Sequence, residues 1–516
     1  MKKHTKLAMF IFVLGIFVTV IWRFVQPMLA DMEQASTSDA SGKKGTITIG
    51  IDGWVGYYPL CSSEMKKRLY QSGYGLKCVD DSADYNDRFK KLKKDEYQFA
   101  VATVDSYLLN AESYDYPGAI GSVIDESKGG DAVVAWSNKI SSLDDLKSIS
   151  DYKIAFTPDS PSHHLLKAIS SHFGIEHLRD KSKHVETDGS EAALKKILAK
   201  QVDVAVIWEP DVTKALSNKG IVRLLGTEDT SRLIVDILIA SRKTVKNNPD
   251  LVKVLLKDYY RTLKYYRDNQ DELTADIADH YSISKKQTKA LLKGVQWATL
   301  IENVQNWYGI TNSGFSDEAL ITSIDSAVDI LLENENFNSN PLPDEDPYRL
   351  VNSRFVQELN DHFSNASGFA DTNVSSMVKK IVFIPLSDER WNKLETIGSL
   401  KTRNIVFVSG TSELTQEGKS QIDQQMADLV HYPNFRIEVR GHTGLRGDSA
   451  QNLTLSQDRA ESVLRYLMIT HDVAENRARA KGYGATRPLN RLPGESTRRY
   501  NYRLPRVEIK LVRETI

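Results

Sequence analysis

The segment "YKIAFTPDSPSHHLLKAISSHFG", residues 152–174, contains the pattern on which the larger part of the chain is built. Its first six residues form a short, largely apolar run, which is typical of a β-strand. The residues that follow carry a helical pattern that begins at Ser160, and serine is favoured at the N-terminal cap of a helix. The segment therefore predicts a β-strand that leads directly into an α-helix.

The same strand-then-helix order is repeated on both sides of this segment. Further strands are predicted at 46–51, 76–81, 97–104 and 202–208, with helical patterns between them. Short apolar strands that alternate with helices indicate an α/β domain with a mostly parallel sheet. After this alternation the pattern stays almost entirely helical as far as residue 335, so a helical section is expected to complete the domain.

The last part of the chain has a pattern of its own. Residues 333–348 are rich in Asn, Pro and acidic residues, which predicts an irregular connection. Beyond it the order is β-α-β-α-β, with predicted strands that include "RNIVFV" (403–408), "FRIEVRG" (435–441) and "PRVEIKLV" (505–512). Because 516 residues exceed what one hydrophobic core holds, two or three domains are expected.

The N-terminus predicts the compartment. Three lysines in the first six residues precede an uncharged apolar run at 7–22, which would rise about 24 Å as a helix. The side chain of Arg23 can snorkel to the membrane surface, so the apolar helix can continue past it. Its length then approaches the roughly 30 Å thickness of a bilayer core. A signal peptide cleaved after Ala30 is the alternative, but Met28 fits its small-residue position poorly. We expect an uncleaved anchor in the cytoplasmic membrane, with the rest of the chain in the periplasm or cell-wall space.

Charge and cysteine content narrow the classes of function. The net charge of −1 gives no basic surface for nucleic acid, so no nucleic-acid partner is expected. Residues 401–516 nevertheless contain 19 Lys and Arg against 13 Asp and Glu, an excess suited to an acidic surface or to ligand carboxylates. Cys61 and Cys78 can form a disulfide in an exported chain or remain as buried thiols, and the sequence leaves both open. No spacing of metal ligands or nucleophile and base stands out, so we expect no catalytic residue, metal or cofactor.

Candidate ligand-binding residues follow the predicted strands. In parallel α/β sheets, ligands bind beyond the carboxyl ends of the strands, where helix N-termini offer free N–H groups. Each residue alone has an ordinary explanation as packing or capping, but together the positions indicate one shared cleft. The candidates are Trp54, Gly56, Tyr57, Asp105, Ser106, Ser160, Ser162, Trp208, Glu209 and Asp236.

These blocks carry a resemblance. "ITIGIDGWVGYYPL" (47–60), "KGGDAVVAW" (128–136) and "QVDVAVIWEPDV" (201–212) resemble the NitT/TauT-type periplasmic solute-binding proteins, which serve ABC importers of nitrate, sulfonates and thiamine-pyrimidine-type compounds. The resemblance implies a two-lobed clamp, called the clamp below, that closes by a hinge on a solute. It implies crossovers between the lobes near 131–136 and 235–240. Serines at a helix start would suit an anionic solute, whereas acidic residues together with tryptophans would suit a cationic or aromatic solute. The sequence leaves both classes of solute open.

The C-terminal blocks carry a second resemblance. "FRIEVRGHTGLRGDSAQNLTLSQDRAESVLRYL" (435–467), with the flanking strands, resembles the OmpA-like (OmpA/MotB C-terminal) peptidoglycan-binding domain. In that family an aspartate and an arginine grip the diaminopimelate of a wall peptide, and an arginine can hold a carboxylate through two hydrogen bonds. Here the arginine is Arg459, but Gly444 stands in place of the aspartate. The resemblance implies that the wall-binding residues are His442, Thr443, Asn452, Arg459, Asn501, Arg503 and Arg506.

The two resemblances imply the following organisation. Residues 1–6 are a cytoplasmic basic tail, 7–25 a transmembrane signal anchor, 26–45 a linker, 46–337 the clamp, 338–399 a connector, and 400–516 the OmpA-like α+β domain of βαβαβ type. The implied function is a membrane-anchored receptor that binds a small solute, is tethered to peptidoglycan and serves an ABC-type permease. The alternative is a non-transport envelope scaffold or stress-system component whose clamp recognises a protein or a wall fragment.

Overall fold

The computed structural model describes residues 43–310, 318–364, 382–403, 405–492 and 494–514. Within these ranges the chain forms three separate β-sheets of six, five and four strands. None of the helices in these ranges is long and apolar enough to cross a bilayer. The predicted anchor at 7–25 and most of the linker lie outside the described residues.

The first lobe is built on the six-stranded sheet, whose strand order is β11-β4-β10-β3-β1-β2. β1 runs parallel to β2 and β3, whereas β10 runs antiparallel to β3 and β4. The strands are β1 (Gly45–Ile51), β2 (Tyr74–Asp80), β3 (Phe99–Thr103), β4 (Gly118–Ser127), β10 (Val235–Ser241) and β11 (Val295–Trp297). The helices are Tyr58–Cys61, Ser63–Gln71, Tyr85–Lys94, Val104–Ala111, Arg242–Asn247, Pro249–Asp268, Gln270–His280, Lys285–Leu292, Leu300–Glu302, Ala319–Glu333 and Arg354–Ser364.

The second lobe is built on the five-stranded sheet, whose strand order is β7-β6-β8-β5-β9. Residues 152–174 form β6 (Ile154–Phe156) and the helix Pro161–Phe173, and the Ser160 side chain caps this helix as predicted. The strands are β5 (Asp131–Trp136), β6 (Ile154–Phe156), β7 (His184–Glu186), β8 (Val204–Trp208) and β9 (Ile221–Gly226). The helices are Leu143–Ser148, Pro161–Phe173, Ser190–Leu198 and Asp211–Leu216.

The chain passes between the lobes at two places that differ slightly from the prediction. The crossings are residues 128–130 and 227–234, not 131–136 and 235–240, which are paired strands of the two sheets. Gly129 adopts φ +116° in the first crossing, a backbone conformation that glycine tolerates better than other residues.

The third unit has a four-stranded sheet in the order β12-β15-β13-β14. The predicted strand at 403–408 is wrong, since the described part of it makes only an isolated bridge between Phe407 and Leu414. β12, which pairs antiparallel with β15, forms that edge of the sheet instead. The strands are β12 (Glu395–Ser399), β13 (Arg436–His442), β14 (Ala478–Gly482) and β15 (Arg506–Arg513), and the helices are Asp388–Asn392, Gln416–Leu429, Ser449–Thr470 and Thr497–Arg503.

The predicted connector at 338–399 is divided between two units. Its helix Arg354–Ser364 buries Phe355, Val356 and Leu359 in the core of the first lobe. Its last part supplies β12 to the third sheet. The predicted connector therefore contributes a helix to the first lobe and a strand to the third sheet.

The third unit packs directly on the second lobe. The ring of Tyr432 lies 5.4 Å from that of Phe173, and its hydroxyl is 2.9 Å from Nδ1 of His172. An ion pair of 2.8 Å joins Lys510 to Asp144 at the rim of this contact. One continuous set of buried apolar side chains runs through both units, so they share a core.

A disulfide between Cys61 and Cys78 joins the helix Tyr58–Cys61 to β2. The two cysteines that it joins are 17 residues apart in the sequence. We expect the Cys61→Ser/Cys78→Ser double variant to lose about 3 kcal/mol of unfolding free energy. Without the crosslink, the unfolded chain gains conformational entropy, whereas the folded chain gains little. Urea unfolding of the oxidised protein and of the variant measures this difference. Equal unfolding midpoints and slopes would contradict it.

Candidate functional site

A cavity of about 1040 Å³ lies between the two lobes of the clamp. Its wall includes the ends of β1 and β8 and the start of the helix Pro161–Phe173, as the strand-end argument predicts. A volume of this size is at the upper end of the range for small-molecule sites. Of the predicted residues, the cavity is lined by Trp54, Tyr57, Ser160, Trp208, Glu209 and Asp236.

The other four predicted residues do not line the cavity. Gly56 is in close packing, since a Cβ there would lie 2.2 Å from Oδ2 of Asp125. Asp105 is buried beside His164, with 3.9 Å between its Oδ2 and Nδ1 of the imidazole. Ser106 accepts a hydrogen bond from Thr103, and Ser162 donates one to Asp131. These four residues therefore belong to the packing around the cleft, and the hydroxyls of Ser106 and Ser162 are engaged by local hydrogen bonds.

Sequence reasoning missed most of the acidic residues in the cavity wall. Asp52 follows β1 within a motif that had been singled out, and Asp131 begins β5 in another. Asp52 lies just beyond the carboxyl end of β1, where the rule used for Trp54 could have found it, whereas Asp131 lies at the amino end of β5, which that rule does not cover. The seven carboxylate side chains that line the cavity are Asp52, Asp84, Asp131, Asp159, Asp188, Glu209 and Asp236.

Asp236 and Asp125 form a buried acidic pair on neighbouring strands of the first sheet. Their positions are directly opposite in the register of β10 and β4. The Tyr57 hydroxyl donates a hydrogen bond to Asp236, and Nε1 of Trp54 donates one to Asp125 at 3.1 Å. Burial raises the pKa of Asp125 to about 7 and that of Asp236 well above its ordinary value. The pair therefore tends to retain a proton near neutral pH.

Asp131 is a third buried carboxylate in the wall. Its Oδ1 accepts a hydrogen bond of 2.6 Å from Ser162, and its Oδ2 accepts one of 3.0 Å from Ser127. Burial raises its pKa to about 6, against the effect of these two hydroxyl donors. Glu209, by contrast, is occupied at the start of a helix, where it accepts hydrogen bonds from the backbone and hydroxyl of Thr213.

The raised pKa of Asp125 predicts a pH-dependent stability. Since its folded pKa, about 7, exceeds the ordinary 3.8, its contribution to stability is complete below pH 3.8 and is lost as the pH rises through 7. We expect Asp125→Asn, which keeps an oxygen for Trp54, to raise the unfolding free energy at pH 8 by on the order of 1–3 kcal/mol and to change little at pH 4. Asp188→Asn, an exposed acid of the same cavity, serves as the control. Parallel pH profiles for wild type and Asp125→Asn in urea unfolding would refute this.

The predicted wall-binding loop follows β13 in the third unit. His442 is buried, and its ring stacks on Tyr483 with 5.5 Å between centroids. Its Nε2 lies 3.6 Å from Oε2 of Glu508, and its Nδ1 lacks a hydrogen-bond partner. The buried hydroxyl of Thr443 also lacks one. Buried polar atoms without partners are uncommon and call for an explanation, such as a ligand that supplies the missing bonds.

Arg459 lies on the helix Ser449–Thr470 and contacts the segment that contains Phe407 and Thr411. Its Nε donates to the carbonyl of Thr411 at 3.0 Å, and its guanidinium lies 5.0 Å from the ring centre of Phe407. It is half-buried, and burial lowers its pKa. No carboxylate of the described residues pairs with it, so the guanidinium can still receive one from a ligand. Asn452 donates to the carbonyl of Arg446 at 3.0 Å.

The remaining predicted residues are near the C-terminus. Arg503 pairs with Glu495 at 2.6 Å, and Arg506 pairs with Glu508 at 2.6 Å. Asn501 lies in the helix Thr497–Arg503. The two arginines already have carboxylate partners, which distinguishes them from Arg459.

Comparison with known families agrees with this division of the chain. An NMT1/THI5-like family model matches residues 74–273, and an OmpA family model matches residues 406–502. The chain joins an NMT1/THI5-like domain to an OmpA-family domain.

Curated relatives resemble the OmpA-family domain. The peptidoglycan-associated lipoprotein of Rhizobium meliloti (strain 1021) is 32% identical over 85 residues, 16% of this chain and 48% of that protein. The probable lipoprotein YiaD of Escherichia coli (strain K12) is 34% identical over 108 residues, 21% of this chain and 48% of that protein. The chain thus spans about half the length of these curated relatives.

Two similar solved structures each cover more than half of this chain at low sequence identity. The periplasmic aliphatic sulphonate binding protein SsuA from Escherichia coli has a TM-score of 0.44 and 16% identity, covering 57% of this chain and 89% of that chain. A putative sulfonate-binding SsuA from Methylobacillus flagellatus KT has a TM-score of 0.48 and 13% identity, covering 63% of this chain and 96% of that chain.

Gly444 of the OmpA-family domain has room for a side chain. A Cβ there would meet only Cγ of Pro505, at 3.9 Å. We expect Gly444→Asp to increase the affinity for diaminopimelate-containing peptidoglycan about tenfold, because the new carboxylate can pair with the amino group of the wall peptide. Cosedimentation with purified sacculi measures this affinity. Leu445→Asp, which adds the same charge at the next, exposed position, should show no gain; an equal gain in both variants would contradict the prediction.

Proposed function

We propose that this protein is an envelope receptor that binds a small solute in its clamp and grips peptidoglycan with its OmpA-family domain. An anchor at 7–25 would hold it in the cytoplasmic membrane, with the folded units in the periplasm or cell-wall space. The solute would pass to an ABC-type permease. The Cys61–Cys78 disulfide supports this compartment, because disulfides persist mainly outside the cytoplasm.

The observation that carries the proposal is the cavity of about 1040 Å³ between the lobes. It supports a receptor rather than a scaffold, because a scaffold that recognises proteins by its surface has no need of an open internal cleft. The resemblance alone offers nitrate, sulfonates and thiamine-pyrimidine-like compounds as classes of solute. Arg459, which has no carboxylate partner among the described residues, supports the wall-binding half.

Two measurements on the full chain test the proposal. Native mass spectrometry of the protein purified from envelope fractions should detect a bound small molecule at a stoichiometry near one. Cosedimentation with purified sacculi should retain the protein in the pellet. A chain that carries no small molecule and stays in the supernatant would overturn the receptor, whereas retention on sacculi with an empty clamp would favour the scaffold.

A further inference from the structure

We propose that the solute held in the clamp is an organic cation, whose ammonium or amidinium group is received by the buried carboxylates of Asp236 and Asp131. This inference rests on the receptor function proposed above and specifies the chemical class of its solute. It departs from nitrate and sulfonates, which are anions.

The charges in the cavity wall are all of one sign. Seven carboxylate side chains line the cavity, and its wall contains no lysine, arginine or histidine among the described residues. A cleft lined by one sign of charge attracts counter-ions and repels ions of its own sign. A ligand with a negative group would have to enter this field without a cationic side chain to receive it.

The most buried of these carboxylates have no cationic partner. Asp236 is 3% exposed and Asp131 is 4% exposed, and the hydrogen bonds to both come from hydroxyl groups. Asp52 shows the contrast, since Arg88 pairs with it at 3.2 Å. A buried charge without a counter-charge is costly, and a ligand cation would supply what Asp236 and Asp131 lack.

Asp125, which lies opposite Asp236 on the neighbouring strand, also has no cationic partner among the described residues. It is fully buried, and its Oδ2 has no hydrogen-bond donor in the protein. A proton held between Asp125 and Asp236 would satisfy that oxygen in the empty clamp. A cation that pairs with Asp236 takes over the neutralising role of this proton.

The rest of the wall suits an organic cation rather than a metal ion. The rings of Trp54, Trp208, Tyr57, Tyr85 and Tyr281 line the cavity, and aromatic faces attract ammonium and guanidinium groups. The volume is that of a site for an organic molecule. Within the described residues, no group of histidine, cysteine and carboxylate side chains is arranged to hold a metal.

The serine predicted to bind an anion is occupied. The Ser160 hydroxyl donates to the carbonyl of Thr157 at 2.8 Å and accepts from the backbone N–H of His163 at 3.2 Å. The Ser162 hydroxyl donates to Asp131. These bonds leave no serine hydroxyl at this helix start directed to an anionic group, and they favour the cationic alternative.

The test uses the full chain and paired probes of opposite charge. Benzamidine, phenethylamine, agmatine and choline are the cations, and benzenesulfonate, ethanesulfonate and nitrate are the anions. We expect at least one cation to raise the melting temperature and to bind saturably in calorimetry, and none of the anions to do so. If the anions stabilise the protein, the cation assignment is overturned, but the receptor function stands. If neither the cations nor the anions stabilise it, the result counts against both the cation assignment and the receptor function.

Variants then locate the cation. Asp236→Asn, which keeps an acceptor for Tyr57, and Asp131→Asn, which keeps one for the serines, should each weaken the binding cation about tenfold or more. Asp151→Asn, an exposed acid of the second lobe that does not line the cavity, should leave its affinity within about threefold. Circular dichroism confirms that each variant is folded. Unchanged affinity in both Asp236→Asn and Asp131→Asn would overturn the proposal.

Discussion

Replacing Arg459 by alanine is expected to release the protein from peptidoglycan, with a loss of affinity of about thirtyfold or more. The reason is that Arg459 supplies a half-buried guanidinium with no carboxylate partner among the described residues. Charge-assisted hydrogen bonds are each worth about 1.5–3 kcal/mol, and every 1.4 kcal/mol corresponds to a factor of ten. Cosedimentation of wild type and Arg459→Ala with purified sacculi measures the loss.

The helix that carries Arg459 also provides a matched control. Arg465 is exposed on the same helix Ser449–Thr470, so Arg465→Ala removes the same charge away from the loop. We expect Arg465→Ala to sediment with sacculi as wild type does. Arg459→Lys should recover only part of the affinity, because an ammonium cannot reproduce the two-pronged bond of a guanidinium. Equal retention of Arg459→Ala and wild type would remove the wall-binding role from this residue.

Replacing Tyr432 by alanine is expected to lower the unfolding free energy by about 3–5 kcal/mol, the usual cost of removing a large aromatic side chain from a core. Tyr432 is fully buried where the OmpA-family domain meets the second lobe. It packs against Phe173 and hydrogen-bonds to His172, so the variant leaves a cavity and an imidazole without its partner. Urea unfolding followed by tryptophan fluorescence measures the effect.

Tyr502→Ala serves as its control, because Tyr502 is 74% exposed in the same domain and should cost less than about 0.5 kcal/mol. The Tyr432 result also tests whether the two units share a core. If they do, the transition of the second lobe should move together with that of the OmpA-family domain. If the lobe keeps its unfolding midpoint in Tyr432→Ala, the packing between the units contributes nothing to stability.

The pattern of the sequence was sufficient for the local structure. The run at 152–157 and the serine at 160 predicted β6 and its helix, because a β-strand and a helix cap depend on neighbouring residues. The same local logic placed Trp54, Trp208 and Asp236 on the cavity wall. It did not predict Asp131, because that residue lies at the start of β5 and not at the carboxyl end of a strand.

The edge of the third sheet shows where local pattern fails. The residues at 403–408 have the composition of a strand, yet β12 pairs with β15 in that place. A strand at an edge is chosen by competition between segments distant in sequence, and propensity alone does not decide that competition. The contact between Tyr432 and Phe173 could not be predicted either, because the two residues are far apart in the sequence.

Periodicity along the chain was enough to predict an α/β domain followed by a β-α-β-α-β unit, and short motifs carried the resemblance to a clamp and an OmpA-like domain, because both are properties of neighbouring positions. The folded chain was needed to show which acids face the cavity, which of them lack a cationic partner, and that Arg459 lacks a carboxylate among the described residues while Arg503 and Arg506 have one. The physical reason is that charge pairing and burial depend on groups far apart in the chain, such as Asp125 and Asp236, which come together only when the sheet forms.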